Sequence, residues 1–544
     1  MKKITLLLIF SFLFGNKINI AQPQQHSPKL VVGIVVDQMR YDYLYRFYSL
    51  YGENGFKRLM HEGSNFTFAH YNYVPTYTAP GHTSIYTGTT PYFHGIISNE
   101  WYDRTSKKII YCTEDNSVKT VGAEDQNGEE SPRRLLSTTI TDELKLATNG
   151  KSKVVAISIK DRASILPGGH YPDAAYWYDP ENGDFISSTY YMKELPEWVK
   201  SFNEKKLADK YMSSGWYLSY PLEKYKTNLP DNQPFEKDLF SESKNTFPHL
   251  FKNLNSGKKY DLIRSTPYGN DLLADFAKNV LKYEDLGKNN YTDFLAISFS
   301  STDFIGHEYG PNSVEVEDTY VKLDSVIADF LTELDKQVGK GNYILFLTAD
   351  HAVAENPYFL SERNIPAGWF DPAIMKDSLL NFTAANFKST DVIESFSNKQ
   401  IFLNYNVVRS LKLSPSNVRE VYADYIRQTF PQVSQVYTRD NLEKLTAHRT
   451  SSNLILNGFN PKRSGDIAFE LQPGYLFGSG GEATTHGSIY PYDTHVPLIF
   501  YGWHIPKQTV NKPVYIVDIA PTIADLLKIQ EPSACIGIPI INEK

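Results

Sequence analysis

Three stretches of this chain share one pattern, in which an uninterrupted apolar run ends and an aspartate follows within a few residues. The runs are residues 30–36 before Asp37, 294–299 before Asp303, and 343–347 before Asp350. Continuous apolar runs rich in β-branched residues are typical of strands that are buried on both faces of a parallel sheet. Between the second and third runs, apolar residues recur at helical spacing over 314–338, which gives a strand, helix, strand unit. We therefore predict an α/β fold with a mostly parallel central sheet, helices on both faces and large insertions.

The length and composition fit one large globular unit. The 544 residues are 41% hydrophobic and 22% charged, which excludes disordered and low-complexity architectures. The stretches of about 187–283 and 355–440 lack clean periodicity, and we interpret both as insertions that decorate the sheet. Later in the chain, 495–500 has the pattern of a strand and 518–527 that of a short helix. Because no repeat or long linker separates independent units, we predict a single domain over 22–544.

The first 21 residues have the features of an export signal. Lys2 and Lys3 precede an apolar stretch over 4–14, and a polar segment then ends at Ala21. This apolar stretch has 11 residues. A membrane span needs roughly 20 residues, and no later stretch qualifies as one. We therefore expect an exported protein, periplasmic or secreted, without stable membrane insertion.

The charge balance and the cysteine count exclude several kinds of partner and site. With 55 basic and 62 acidic residues the formal net charge is −7, so no global positive field recruits nucleic acid. Cys112 and Cys535 are the only cysteines, too few for a disulfide scaffold or a cysteine-based zinc site. The sequence leaves open whether these two thiols pair.

Carboxylates and imidazoles are expected to gather at the strand ends. The carboxyl ends of parallel strands meet at one edge of the sheet, so the three aspartates should lie together, although each alone would be interpreted as a helix cap or a loop residue. Oxygen and nitrogen ligands suit zinc, and six are enough for two metals with open positions for chemistry. The glycine-rich loop 478–487 can bring a ligand from far along the chain. The candidate metal ligands are Asp37, Asp303, His307, Asp350, His351 and His486.

The remaining histidines carry weaker signals. His495 begins an apolar strand, and we interpret it as a structural or supporting residue rather than a ligand. His82 and His94 flank a short predicted helix, and we assign both to packing or hydrogen bonding. His70 and His170 are left unassigned.

Thr78 is a candidate nucleophile. Pro80 just inside a predicted helix start places Thr78 near the N-cap, where exposed N–H groups and the helix dipole favour a dianion. Taken alone, Thr78 only caps a helix. A threonine alkoxide held there by a metal would be a nucleophile at neutral or alkaline pH.

Together these residues resemble the alkaline phosphatase superfamily of two-zinc hydrolases. More narrowly, four longer motifs resemble those of the Flavobacterium-type, phosphate-irrepressible alkaline phosphatases. They are Val-Val-Asp-Gln-Met-Arg at 35–40, Ser-Asn-Glu-Trp-Tyr-Asp at 98–103, Lys-Asp-Arg-Ala-Ser-Ile-Leu-Pro at 160–167 and Gly-Pro-Asn-Ser-Val-Glu-Val-Glu-Asp-Thr-Tyr at 310–320. The resemblance covers nearly all of the chain after the export signal, and it implies an alkaline-phosphatase-like catalytic domain.

The resemblance also implies roles for individual residues. Other alkaline phosphatases have a third, magnesium site, and this chain resembles the version with a lysine there, so two zinc ions and no magnesium are expected. The implied activity is the hydrolysis of phosphate monoesters through a covalent phosphothreonine. The implied sets are Asp303, His307 and His486 for one zinc; Asp37, Asp350 and His351 for the other, which Thr78 faces; and Asn99, Lys160 and Arg162 for gripping the phosphate oxygens.

A charge count supports a monoester substrate. Two divalent zincs, three aspartates, Lys160 and Arg162 sum to three positive charges, which a monoester dianion and a Thr78 alkoxide neutralise. A phosphodiester or sulfate ester carries one charge fewer and would leave an excess among desolvated cations.

Three alternatives remain beside a monoesterase. A nucleotide pyrophosphatase or phosphodiesterase of the same superfamily would share the zinc ligands and the threonine. A sulfatase is less favoured because no Cys-x-Pro-x-Arg segment is present. A non-catalytic, exported phosphate-binding protein could keep the same fold. For the enzyme we expect small-molecule phosphate esters as partners and a monomeric state.

Overall fold

The computed structural model describes residues 27–226, 229–240, 245–251, 256–450 and 453–541. The predicted export signal, 1–21, lies outside these residues. Within the part of the chain that the structure describes, no helix combines the length and the apolar character needed to cross a bilayer.

The described residues form nineteen strands and twenty α-helices, joined by short 3₁₀ turns. The strands are β1 Leu30–Val36, β2 Ser64–His70, β3 Glu100–Asp103, β4 Lys108–Tyr111, β5 Thr120–Val121, β6 Val154–Ser158, β7 Ala174–Tyr178, β8 Phe185–Ser188, β9 Asp293–Phe299, β10 Tyr343–Thr348, β11 Gly368–Phe370, β12 Ile393–Ser397, β13 Gln400–Leu403, β14 Val433–Thr438, β15 Ile467–Leu471, β16 Tyr475–Phe477, β17 His495–Gly502, β18 Gln508–Val510 and β19 Val514–Tyr515. The helices are α1 Tyr43–Arg46, α2 Phe56–Glu62, α3 Thr78–Thr87, α4 Pro91–His94, α5 Ile140–Ala147, α6 Arg162–Gly168, α7 Glu197–Asn203, α8 Leu207–Tyr211, α9 Ser256–Leu262, α10 Tyr268–Tyr283, α11 Ser301–Tyr309, α12 Val314–Leu334, α13 Pro357–Ser361, α14 Pro372–Phe387, α15 Tyr405–Ser410, α16 Pro415–Thr429, α17 Arg439–Leu442, α18 Leu454–Gly458, α19 Pro491–Thr494 and α20 Ile519–Leu527.

The central sheet has eleven strands among the described residues, in the order β18-β2-β17-β10-β1-β9-β6-β7-β8-β5, with β19 also paired to β2. Its middle is parallel, because β1 pairs in parallel with both β10 and β9, and β6 pairs in parallel with both β9 and β7. Towards one edge β17 runs antiparallel to β10 and β2, and towards the other β8 runs antiparallel to β7. The predicted mostly parallel sheet is confirmed.

The three apolar runs form the three central strands. Every residue of β1, β9 and β10 is buried, which requires cover on both faces of the sheet. The chain passes from β9 through α11 and α12 into β10, and β1 lies between these two strands. The predicted strand, helix, strand unit is therefore present.

Helix α12 begins where the sequence predicts and changes character near its end. The Ser313 hydroxyl accepts a hydrogen bond from the Val316 N–H and caps the first turn. The α-helical part ends at Leu334, and a π-helical turn, Asp335–Gly339, completes the segment that the periodicity predicts as helix to 338.

The segment 187–283 is more regular than the sequence analysis expects. Helix α10, Tyr268–Tyr283, buries one stripe at helical spacing that includes Leu273, Phe276, Ala277 and Val280. The interpretation of this stretch as lacking periodicity was wrong over 268–283, because the irregular composition upstream masked a clean amphipathic helix.

The segment interpreted as the later insertion contributes to a sheet with a core of its own. Strands β12, β13, β15 and β14 pair antiparallel in that order, and α14 and α16 pack over them around Met375, Leu379, Tyr422 and Ile426. Because β15 ends at Leu471, this unit extends beyond the expected boundary at 440. Elsewhere Cys112 and Cys535 are both free thiols, so the open question of their pairing is answered for this structure.

Gly81 in α3 allows the helix to pack directly on the segment that follows β10. A Cβ at this position would overlap the backbone oxygen of Asp350. Replacing a helical glycine by alanine ordinarily gains about 0.5–1 kcal/mol. Here we expect Gly81→Ala to lower the free energy of unfolding by about 1–3 kcal/mol, the usual cost of overpacking.

Denaturant unfolding of the purified variant measures this change. Gly52→Ala is the matched control, since a Cβ there would meet only the Asp324 side chain at 3.5 Å. A Gly81→Ala protein as stable as the parent would contradict the packing.

Candidate metal centre

The polar residues that follow four adjacent parallel strands meet at one edge of the sheet. Asp37 follows β1, Asp303 lies in the first turn of α11 after β9, and Asp350 with His351 follows β10. Lys160 and Arg162 follow β6, the next strand in the sheet. The three carboxylates and His351 are at most 4% exposed, so they share one nearly dry site. The predicted convergence of the strand ends is present.

The first group of candidate ligands is Asp37, Asp350 and His351. The Nε2 atom of His351 lies 3.4 Å from Asp37 Oδ1 and 3.5 Å from Asp350 Oδ2. All three atoms are buried without a hydrogen-bond partner. Ligand atoms held about 2.0–2.2 Å from a tetrahedral zinc stand at about this separation from one another. An oxygen of Asp303 also lies close enough to join Asp37 and His351 around one ion.

Asp303, His307 and His486 form the second group. Asp303 Oδ1 lies 3.3 Å from His307 Nε2 and 3.7 Å from His486 Nε2. The His351 and His486 rings stack with centroids 3.5 Å apart, so the two groups are adjacent. The six predicted ligands therefore lie in two neighbouring triplets.

The histidines of both groups are oriented as ligands by the backbone. The Nδ1 atoms hydrogen-bond to carbonyl oxygens, His351 to Ala352, His307 to Thr484 and His486 to Thr76. A carbonyl oxygen only accepts, so Nδ1 carries a proton in each ring, and in a neutral ring Nε2 offers its lone pair to the site. Burial lowers the pKa of His351 to about 3 and the pKa of His486 well below its ordinary value, which favours the neutral ring that metals bind. Against the effect of burial, the charge of Asp303 raises the pKa of His307 well above its ordinary value, so a metal ion would have to displace a proton from this ring.

Asp37 and Asp350 need more positive charge than the protein supplies, whereas, against the effect of burial, the charge of Lys160 holds the pKa of Asp303 well below its ordinary value. Burial, and next the charge of Asp303, raise the pKa of Asp37. Burial, and next the charge of Asp37, raise the pKa of Asp350 well above its ordinary range. Lys160 compensates part of this charge, because its Nζ lies 2.7 Å from Asp37 Oδ2 and 2.6 Å from Asp303 Oδ2. The unpartnered oxygens on the other side of the cluster fit divalent cations.

Gln38 links the two groups and was missed by the sequence analysis. Its backbone N–H donates to Asp350 Oδ1 at 3.2 Å, and its Nε2 donates to Asp303 Oδ1 at 2.7 Å. Its φ of 65° is in the left-handed region, which places both donors on the same side as the cluster. The signal in the sequence was its position directly after Asp37.

Thr78 is the first residue of α3 and directly follows the N-cap residue, Tyr77, so it lies near the N-cap as the sequence predicts. It is 1% exposed, and its Oγ1 lies 3.5 Å from Lys160 Nζ. The Ala79 N–H, expected to be free for a dianion, instead donates to Asn99 Oδ1 at 2.8 Å. This bond turns the amide nitrogen of Asn99 into the donor that is available beside Thr78.

Arg162 is held by a tyrosine that the sequence analysis did not identify. Its Nη1 donates to the Tyr111 hydroxyl at 2.8 Å, and this hydroxyl donates to Asp161 Oδ1 at 2.7 Å. The Nε of Arg162 is buried and has no hydrogen-bond partner. Tyr111 lies in β4, so only the folded chain brings it to Arg162.

The loop that carries His486 is anchored from the second sheet. Lys399 Nζ donates to the Gly487 oxygen at 2.7 Å and pairs with Glu470 Oε1 at 2.5 Å. Both side chains of this ion pair are at most 7% exposed. No local pattern in the sequence predicts this anchor.

The other histidines have the structural roles expected of them. His82 bonds the Thr78 oxygen and the Ser298 hydroxyl, and His94 bonds the Ser84 hydroxyl. His495 bonds the Thr67 oxygen and stacks on His70 with ring centroids 4.5 Å apart. The unassigned His170 pairs with Asp142 at 3.0 Å.

Comparisons with known proteins show which family this chain resembles. A family model described as type I phosphodiesterase / nucleotide pyrophosphatase matches residues 31–493. Alkaline phosphatase PafA of Elizabethkingia meningoseptica is 44% identical over 535 residues, which are 98% of this chain and 97% of that protein. A protein of Myroides odoratus named calcium-transporting ATPase is 45% identical over 524 residues, 96% of this chain and 95% of that protein. The crystal structure of wild-type PafA, at 44% identity, has a TM-score of 0.90 and covers 94% of this chain and 98% of that chain.

The two ligand groups give a test by metal binding. His351→Ala removes the central nitrogen of the first group, so we expect it to lower the affinity for one Zn²⁺ by at least about tenfold to a hundredfold. Equilibrium dialysis of chelator-stripped protein, followed by metal analysis, measures the bound zinc. His61→Ala, on the exposed surface of α2, is the control and should bind zinc as the parent does. Equal zinc binding by His351→Ala and the parent would contradict the first group.

Proposed function

The chain belongs to the type I phosphodiesterase / nucleotide pyrophosphatase family of the alkaline phosphatase superfamily, and on this premise we propose that it is an alkaline phosphatase hydrolysing phosphate monoesters. The observation that carries the proposal is the position of Lys160 Nζ, which contacts one aspartate of each ligand group and lies beside the Thr78 hydroxyl. A nucleophile placed at the junction of two candidate metal groups suits phosphoryl transfer.

We propose that each ligand group holds one zinc ion. Asp37, Asp350 and His351 would hold the ion that Thr78 faces, and Asp303, His307 and His486 would hold the other. Bound zinc would supply Lewis acidity that favours ionised oxygens and stabilises charge on a leaving oxygen. Lys160, already paired to Asp37 and Asp303, takes a place where a further cation would otherwise bind.

The protein's own residues supply the nucleophile and the orientation. Thr78 loses its proton to solvent, and its Oγ1 forms a bond to phosphorus as the ester P–O bond breaks. The departing alkoxide takes a proton from water. A water molecule then attacks the phosphothreonine, and Thr78 leaves and regains a proton. One water is consumed, and one alcohol and one phosphate are released.

Three donors orient the phosphoryl group during both steps. Lys160 uses two N–H groups on Asp37 and Asp303, so its third can point toward Thr78 and the phosphoryl oxygens. Asn99 accepts the Ala79 N–H through Oδ1 at the start of α3, which leaves its amide nitrogen free to donate to the phosphoryl group. Arg162 offers a planar fork that Tyr111 and Asp161 hold in place.

The substrate charge should match the site. Two zinc ions, three aspartates, Lys160 and Arg162 leave three positive charges, which a monoester dianion and the Thr78 alkoxide neutralise. Since these groups are mostly buried, an unbalanced charge would cost more than it does in water. We further propose that the protein is exported by its first 21 residues and acts as a monomer.

A phosphodiesterase is the second candidate, favoured by the name of the matching family model. A diester has one negative charge and needs room for a second substituent. We propose that Lys160 and Arg162 bind the additional charged oxygen of a monoester, so we rank the monoesterase first.

Replacing the nucleophile tests the covalent step. Thr78→Ala should lower kcat by at least about a thousandfold and abolish the phosphorylated chain, because its methyl group cannot attack phosphorus. Acid quenching during turnover, followed by mass spectrometry of the peptide with residue 78, measures the intermediate. Thr78→Ser is the matched control and should still be phosphorylated. Full turnover by Thr78→Ala would remove Thr78 from the mechanism.

Removing the arginine fork tests the substrate class. With the parent protein, we expect phenyl phosphate to be hydrolysed faster than its methyl diester at equal concentration. Arg162→Met should lower kcat/KM for phenyl phosphate by about tenfold to a hundredfold, and should change the rate for the diester much less. Steady-state kinetics with both esters decide this. A parent protein that prefers the diester would favour the phosphodiesterase instead.

A further inference from the structure

Arg264 is a cation at the edge of the site that the mechanism above does not use. It lies in the 3₁₀ turn Ile263–Ser265, which joins α9 to α10 inside the segment 187–283. Its guanidinium carbon lies 4.8 Å from the centroid of the Phe304 ring. Phe304 directly follows Asp303 in α11, so this insertion reaches the ligand groups at that helix.

Lys160 also lies over the Phe304 ring. Lys160 Nζ lies 5.0 Å from the centroid of the Phe304 ring, and the Arg264 guanidinium carbon lies 4.8 Å from the same centroid. The two cations are therefore at most 9.8 Å apart. The positive charge of Arg162 also acts on Arg264: burial lowers the pKa of Arg264, and Arg162 lowers it further. Lys160 and Arg264 thus lie against one ring, and Lys160 is the cation of the two that contacts Thr78.

The charge of Arg264 is balanced by a weaker ion pair than the charge of Lys160. Lys160 is 4% exposed and is held by two buried carboxylates. The Arg264 side chain is 26% exposed, and its carboxylate partner, Asp261, is 56% exposed and lies three residues earlier. Exposed pairs of this kind contribute only about 0–1 kcal/mol, so an anionic ligand can displace Asp261. The guanidinium also presents the planar donor fork that suits phosphate oxygens.

We propose that Arg264 forms a leaving-group subsite that selects substrates with a second phosphate beyond the one transferred, such as nucleoside polyphosphates. The inference rests on the proposed function, since the terminal phosphoryl group must lie at Thr78 for the next phosphates to reach Arg264. Cleavage follows the same balance: the Thr78 oxygen bonds to the terminal phosphorus, the P–O bond to the bridging oxygen breaks, and the shortened phosphate leaves. Water then releases phosphate from Thr78.

The subsite acts through binding of the leaving group. A contact present in both the bound substrate and the transition state changes KM more than kcat. Its strength should fall as salt rises, because Arg264 is partly exposed. The kinetic constants for substrates with an uncharged leaving group should not depend on Arg264.

The test compares ATP with phenyl phosphate as substrates of the full-length, zinc-loaded protein. Arg264→Met keeps an apolar stem against Phe304 and removes the charge. We expect it to lower kcat/KM for ATP by about tenfold, mainly through KM, and to leave the value for phenyl phosphate within about twofold. Asp261→Asn removes the competing carboxylate and should raise kcat/KM for ATP by about twofold to threefold, the opposite direction.

Two controls separate the possible failures. Arg427→Met breaks an Arg–Asp pair of the same spacing in α16, outside the central sheet, and should change neither substrate. Equal losses for ATP and phenyl phosphate in Arg264→Met, or no loss for ATP together with no gain in Asp261→Asn, would overturn the subsite. A parent protein that hydrolyses neither substrate would instead overturn the proposed phosphatase function.

Discussion

The structure depends on the repulsion among carboxylates that are buried at the ends of neighbouring strands. Asp37, Asp303 and Asp350 lie where the parallel register of β9, β1 and β10 puts them, and water is excluded around them. Three negative charges cannot persist there without cations, because the dry surroundings weaken screening. Lys160 supplies one positive charge, and the Nε2 atom of His351 lies beside the oxygens of Asp37 and Asp350 that have no hydrogen-bond partner. The strand order that builds the core therefore also gathers the candidate metal ligands.

The sequence predicts the central strands and the aspartates after them well, because both depend on patterns within a short stretch of residues. A buried parallel strand is a continuous apolar run, and the first polar residue after it must emerge at the sheet edge. Asp37, Asp303 and Asp350 each follow such a run within a few residues, and the coincidence of all three singled them out. Lys160 and Arg162 also follow a buried strand, β6, but, like Asn99, they were singled out only by the resemblance to a known family.

The residues that escaped prediction are those defined by contacts between distant segments. Tyr111 reaches Arg162 from a separate hairpin, and Lys399 anchors the His486 loop from the second sheet. Gln38 looked like an ordinary neighbour of Asp37 until its left-handed backbone placed two donors on the ligands. Helix α10 was overlooked for the opposite reason, since its clean stripe of buried residues follows a long irregular stretch. Partners brought together by folding leave no trace in a short window of sequence.

The anchor of the His486 loop has a consequence for biosynthesis. His486, the last candidate ligand, lies far along the chain from Asp37, the first. Lys399, which anchors the His486 loop, belongs to the sheet of β12–β15, and its strand β15 ends only a few residues before that loop begins. A ribosome must therefore finish almost the entire polypeptide before the full set of ligands exists. Such long-range assembly folds slowly. A nascent or prematurely terminated chain would contain Asp37, Asp303 and Asp350 but lack His486. Binding of the full complement of metal would therefore occur only after synthesis of nearly the whole chain.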